Sequence, residues 1–103
     1  MPNAVYYVSY KLKKDASVPD FLQAAKQLNT EVISKQKGYV SWRQLVDGDM
    51  WADLITFETM DDLNRFKEAS KNPGELALHF YSFMNFSAKG GKQHIFSVER
   101  EYV

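Results

Sequence analysis

The sequence contains no cysteine. That excludes a disulfide framework, a thiolate nucleophile and a cysteine-ligated zinc site, and it fits a reducing compartment. Neither sign of charge is in excess: 13 Lys and Arg balance 13 Asp and Glu, for a formal net charge of zero. Nucleic-acid binding needs a basic footprint that displaces counterions, so no nucleic-acid partner is expected. No apolar run approaches the roughly 18–20 residues of a membrane-spanning helix. The N-terminus passes from Met1-Pro2 into strand-like sequence, without a basic stretch followed by an apolar one. A cytoplasmic protein with no membrane partner is therefore expected. Histidine is scarce too: His79 and His94 lie far apart with no third ligand at metal spacing, so no metal site is expected. With one internal histidine, no Ser-His-Asp arrangement can be assembled. Lys89-Gly90-Gly91-Lys92 lacks the spacing, the hydroxyl and the following helix of a phosphate loop, and reads as a connector.

What is present is apolar and aromatic sequence. Hydrophobic residues make up 45% and aromatic residues 15% of the 103 positions, too many for a disordered chain. The length fits a single domain spanning 1–103. Residues 5–12 are β-branched and aromatic, which predicts a strand. Ser17, with Asp20 three residues on and Pro19 in the first turn, predicts the start of a helix striped by Phe21, Ala25, Leu28 and Val32 and stopped at Gly38. Asp47-Gly48 predicts a hairpin of 39–46 and 51–58. Pairing Val46 with Trp51 then puts Gln44 opposite Asp53, Trp42 near Ile55 and Val40 near Phe57. The reverse face carries Tyr39, Ser41, Arg43 and Leu45 against Ala52, Leu54, Thr56 and Glu58. Thr59 caps a second helix striped by Met60, Leu63 and Phe66. Asn72, Pro73 and Glu75 read as the cap, first position and capping-box partner of a third helix. That helix buries Leu76, Phe80, Phe83 and Met84, with His79 and Phe86 on one flank. A last strand is predicted over roughly 94–102.

The order β-α-β-β-α-α-β predicts an α+β, ferredoxin-like split β-α-β sandwich, four antiparallel strands with helices on one face. None of the strands has a cleanly polar face, so the second face also needs cover, most simply from a second copy of the chain. RNA-recognition domains share this order, but WADLITFE on the third strand lacks their aromatic and basic motif. Amino-acid-sensing regulatory domains keep a glycine in the first loop, where this chain has Lys14-Asp15-Ala16. The whole chain resembles the dimeric α/β-barrel superfamily, in particular the antibiotic-biosynthesis-monooxygenase-like (ABM) family. The resemblance is carried by the first strand leading into a capped helix, by LITFETMDDLNRF, by an extra helix before the last strand, and by the two-sided strands. It implies a homodimer and, in relatives that oxygenate polyphenols, a cofactor-independent monooxygenase with neither metal nor flavin. Such a site is an apolar pocket holding a small aromatic or apolar ligand. Haem-degrading relatives place a His, a Trp and an Asn at positions that match His79, Phe66 and Ser9, so two of the three depart.

The resemblance and the residues together name the candidates. His79, a residue type that can exchange a proton near neutral pH, lies beside an aromatic stripe and is the candidate catalytic base; it reads more readily as a core-boundary histidine. Tyr7, Ser9, Phe66, Phe80 and Phe83 are candidate substrate-binding residues, Tyr7 and Ser9 serving a sheet–sheet interface equally well. Trp42, Gln44 and Asp53 belong to a pocket or to an interface, since a mid-strand carboxylate on an apolar face is costly to bury unpaired. Arg43 could clamp an anion or pair on the surface. A non-catalytic ligand-binding or stress-responsive dimer is the alternative reading.

Overall fold

The computed structural model describes residues 3–86 and 91–103. Its elements are β1 (Ala4–Leu12), α1 (Val18–Glu31), a single 3-10 turn (Ile33–Lys35), β2 (Tyr39–Asp47), β3 (Met50–Phe57), α2 (Met60–Ala69), α3 (Glu75–Tyr81), β4 (Met84–Asn85) and β5 (Lys92–Ser97). All strand pairings are antiparallel, in the order β2-β3-β1, with β5 and the two-residue β4 sharing the far edge of β1. This is the α+β, ferredoxin-like fold.

Local chemistry explains the boundaries. The Ser17 hydroxyl accepts from the Asp20 amide at 3.3 Å, and Thr59 Oγ1 accepts from the Asp62 amide at 3.1 Å, so α1 and α2 begin where a side chain satisfies a free N–H. The hairpin turns through Gly48-Asp49 with positive φ at Gly48 alone, as a glycine-first loop allows. Val46 pairs with Trp51, Gln44 with Asp53 and Trp42 with Ile55.

Four expectations are corrected. A bulge between Tyr39 and Ser41 puts Tyr39, not Val40, opposite Phe57; the extra residue leaves the ladder and Val40 is exposed. Gly38 does not end α1, which stops at Glu31. Its φ of +80° instead lets the chain enter β2. Helix α3 starts at Glu75 with Gly74 as an N-cap lacking any side-chain bond, and it ends at Tyr81, so Phe83 and Met84 lie beyond it. The last strand is shorter than predicted: β5 ends at Ser97, and the Val98 amide still bonds Asn3 O at 2.8 Å. In the predicted connector, Lys89 and Gly90 lie outside the described residues, while Lys92 already belongs to β5.

The core decides which face the helices cover. Ala4 and Tyr10 of β1 join Ile55 and Phe57 of β3 with Phe21, Leu28, Leu63, Phe66 and Phe80 of the helices in one buried cluster. Phe21 stacks on Phe80, ring centres 5.1 Å apart, and meets Trp51 edge-on at 5.2 Å. Strand alternation then assigns Val5, Tyr7, Ser9, Leu54 and Phe96 to the other face, where no helix of the described residues packs. No helix among the described residues is long and apolar enough to cross a membrane.

Candidate functional site

Sheet and helices do not close completely on one another. Between them is a cavity of about 230 Å3. Its sheet side is made by Tyr6 and Val8 of β1, Trp42 of β2, Asp53 and Ile55 of β3, and Gln93 of β5. Leu28, Phe66, Phe80 and Tyr81 close the helical side, and Met84 and Phe86 complete the wall. The alternation that turns Ile55 and Phe57 into the core turns Asp53 the same way, and antiparallel pairing sets it opposite Val8 on one side and Gln44 on the other.

Asp53 is the one carboxylate in this lining and is only 2% exposed. Burial pushes its carboxyl up to about 6, because the charged form loses water; nearby donors oppose the rise without cancelling it. The Tyr10 hydroxyl donates to Asp53 Oδ1 at 2.9 Å. The Trp42 indole N–H and the Gln44 amide also favour the carboxylate. Among the described residues neither completes a hydrogen bond, and Trp42 Nε1 and Gln44 Nε2 are buried donors with no partner there. Burial, with the Asp53 charge behind it, holds the Tyr10 phenol above its ordinary range. The Tyr6 and Tyr81 phenols are raised for the same first reason, and Gln93 Nε2 donates to Tyr6 Oη. The chemistry follows from these facts. At neutral pH the carboxylate is largely ionised, yet basic enough to take a proton inside an apolar space, with tyrosine hydroxyls that stay protonated around it.

The structure sorts the candidates. Phe66, Phe80, Trp42 and Asp53 come together around the cavity. His79 does not join them. Phe80 takes the inward position of α3, which leaves the preceding residue on the outer side, where His79 is exposed and meets the edge of Phe83 at 5.3 Å. Phe83, past the end of α3, packs behind the cavity on Phe21 at 5.8 Å. Tyr7 and Ser9 lie on the opposite face of the sheet, because strand parity separates them from Tyr6, Val8 and Tyr10. Tyr7 meets His94 there, and Ser9 Oγ accepts from the Lys92 amide at 3.1 Å. Gln44 borders a separate cleft beside α1, with Leu22 and Lys26. Arg43 and His94 are exposed on the open face. Among the described residues no three His, Cys, Asp or Glu cluster closely enough to hold a metal ion. Sequence reasoning missed Tyr6, Tyr10, Tyr81 and Gln93. Tyr6, Tyr10 and Gln93 reach Asp53 through the pairing of β1 with both β3 and β5, a long-range fact that strand patterns do not carry, and Tyr81 through the packing of α3 on the sheet.

No protein-family model matches this sequence, and no curated protein matches it. Solved structures do. SnoaB, a cofactor-independent oxygenase from Streptomyces nogalater, aligns over 96% of this chain and 95% of its own with a TM-score of 0.72 at 12% identity. The monooxygenase from the ActVA-Orf6 gene of Streptomyces coelicolor, solved with nanaomycin D, aligns over 99% and 92% with a TM-score of 0.72 at 14% identity. The fold is that of ABM-like proteins. A dimeric ferredoxin-like protein from an uncultured marine organism shares it as well, over 100% of this chain and 93% of its own, with a TM-score of 0.72 at 10% identity.

Proposed function

We propose that the protein is a homodimeric, cofactor-independent monooxygenase that oxygenates a small electron-rich phenol, with Asp53 as its base. One observation carries the reading: a single, deeply buried carboxylate, raised toward neutrality, faces an apolar cavity in a fold that known oxygenases share. The ABM-like fold supports the reaction class; the residues supply the mechanism.

Asp53 takes the phenolic proton and leaves an electron-rich phenolate in a site that excludes water. Dioxygen accepts electrons from the ring, and a C–O bond forms at a carbon bearing hydrogen. The ring hydroperoxide then loses water to give a quinone carbonyl. One oxygen atom enters the product and the other leaves as water. The four electrons lost by the phenol are those that reduce dioxygen, so no outside reductant is consumed. The protonated hydroxyls of Tyr6 and Tyr81 are the donors available to the developing oxyanions.

Oxygen uptake with 1-naphthol and 5-methylresorcinol tests the reading in wild type, Asp53→Asn and His79→Ala. Uptake by the wild type, a loss of roughly 10²–10⁴-fold in Asp53→Asn and near wild-type rates in His79→Ala are expected. Equal rates in wild type and Asp53→Asn would remove Asp53 from the mechanism. Binding of either phenol without any uptake would make the protein a ligand-binding module instead.

A further inference from the structure

The cavity beside Asp53 has a neighbour across Tyr81. A second hollow of about 100 Å3 lies under the turn from α2 to α3 and shares Leu28, Ile33, Phe66, Ser70 and Tyr81 with the first. Side chains there are short where the helices meet it, with Ala69 at the end of α2, Gly74 before α3, and Ala77 one turn before Tyr81 on the same side of α3. Neither hollow alone reaches the roughly 300 Å3 at which small-molecule pockets begin. The 230 Å3 and 100 Å3 volumes taken together do.

Both hollows hold polar side chains, but the one carboxylate lies in the larger, and that orients an occupant. Asp53, Tyr6 and Gln93 line only the larger hollow. In the smaller one Tyr81, on the shared wall, is the sole ionisable side chain among the described residues; Gln36, Ser70 and Asn72 add uncharged polar groups at its edge, and Val32, Pro73 and Ala77 supply apolar surface. A ligand with one hydroxylated end and one apolar end therefore fits in a single direction.

We propose that the two hollows are one bilobed site, and that its ligand is an alkyl-substituted phenol. The hydroxylated ring lies beside Asp53, and an unbranched substituent of a few carbons runs past Phe66 and Tyr81 into the hollow under the α2–α3 turn. This rests on the reading of the Asp53 cavity as a phenol site. Ala77 then determines specificity, because its small side chain leaves the second lobe open.

The test is a calorimetric titration under argon, where binding is measured without turnover, using resorcinols alkylated at carbon 5 from methyl to pentyl. In the wild type, affinity should rise by roughly three- to fourfold per methylene buried and level off once the second lobe is full. A flat or falling series overturns the proposal. In Ala77→Leu, and independently in Ala69→Leu, the pentyl-to-methyl affinity ratio should collapse toward one, thermal melting first showing that each variant is folded. A wild-type ratio in both folded variants overturns it. Admitting oxygen separates this inference from the monooxygenase reading. A chain-length gain without uptake upholds the bilobed site and ends the catalytic reading. Uptake with the methyl compound and no gain on lengthening does the reverse.

Discussion

Asp53 illustrates how one side chain can weaken a fold while equipping a site. An unfolded aspartate has its ordinary acidity near 3.8, whereas in the folded chain burial lifts Asp53 to about 6. Between those values the folded state holds the proton more tightly than the unfolded state does. Stability contributed by the neutral carboxyl is thus fully present below about pH 4 and is lost as pH rises through 6. The size of that loss is on the order of 3 kcal/mol. Asparagine keeps the shape and still accepts from Tyr10, but carries no charge. Asp53→Asn should therefore unfold at higher urea concentration than wild type at pH 8, and at nearly the same concentration at pH 4.5. A variant destabilised equally at both pH values would contradict the burial argument. Catalysis should run the opposite way, with oxygen uptake by the wild type falling as pH drops through about 6 and the base becomes protonated. Part of this was legible in the sequence, since a carboxylate in the middle of an apolar strand face is costly wherever it lies. Its depth was not, because both faces of β1 are apolar enough to receive helices. The same ambiguity left open whether the face of Tyr7 and Ser9 or that of Tyr6, Val8 and Tyr10 meets the helices.

Elements were legible where a local motif sets them. Asp47-Gly48 fixed the β2–β3 register, and the Ser17 and Thr59 hydroxyls fixed two helix starts. The bulge at Val40 and the late start of α3 were not legible, because tertiary packing decides both. Gly38 shows the difference. Glycine there was readable as a chain stop, but its real constraint is α2: a Cβ at Gly38 would run into the Asp62 carboxylate. That carboxylate is buried and bonded to Arg65 Nη1 at 3.2 Å, so it has little room to move. Gly48 has a similar φ of +61°, but a Cβ added there would meet nothing within 4 Å. Gly38→Ala should cost more than the roughly 1–3 kcal/mol of left-handed strain alone. Gly48→Asn should cost less than about 1 kcal/mol, since asparagine tolerates that conformation. Urea denaturation of the two variants separates the cases; equal losses would mean that φ, not the contact with Asp62, sets the requirement at Gly38.

At the scale of the molecule, the open face of the sheet remains to be explained. Across its middle the strands align Arg43, Leu54, Tyr7 and His94 in one cross-strand row. Leu45 and Phe96, at 41% and 52% exposure, extend the apolar surface to either side. A chain this short buries only about 60–70% of its unfolded surface, so covering that face adds stability the single chain lacks. In an isologous pair Leu54 sits near the centre, while Lys11 and Lys92 of the same face need places at the rim, where water reaches them. Leu54→Arg puts an unpaired cation at the centre of each copy. The wild type should sediment at twice the chain mass at micromolar concentration, and Leu54→Arg at the chain mass. A monomeric wild type would remove the homodimer from the proposal. The cavity with Asp53 lies on the other side of the sheet. A folded Leu54→Arg monomer should therefore still bind 5-methylresorcinol. Loss of binding in step with loss of the dimer would mean that the second copy shapes the site through the sheet.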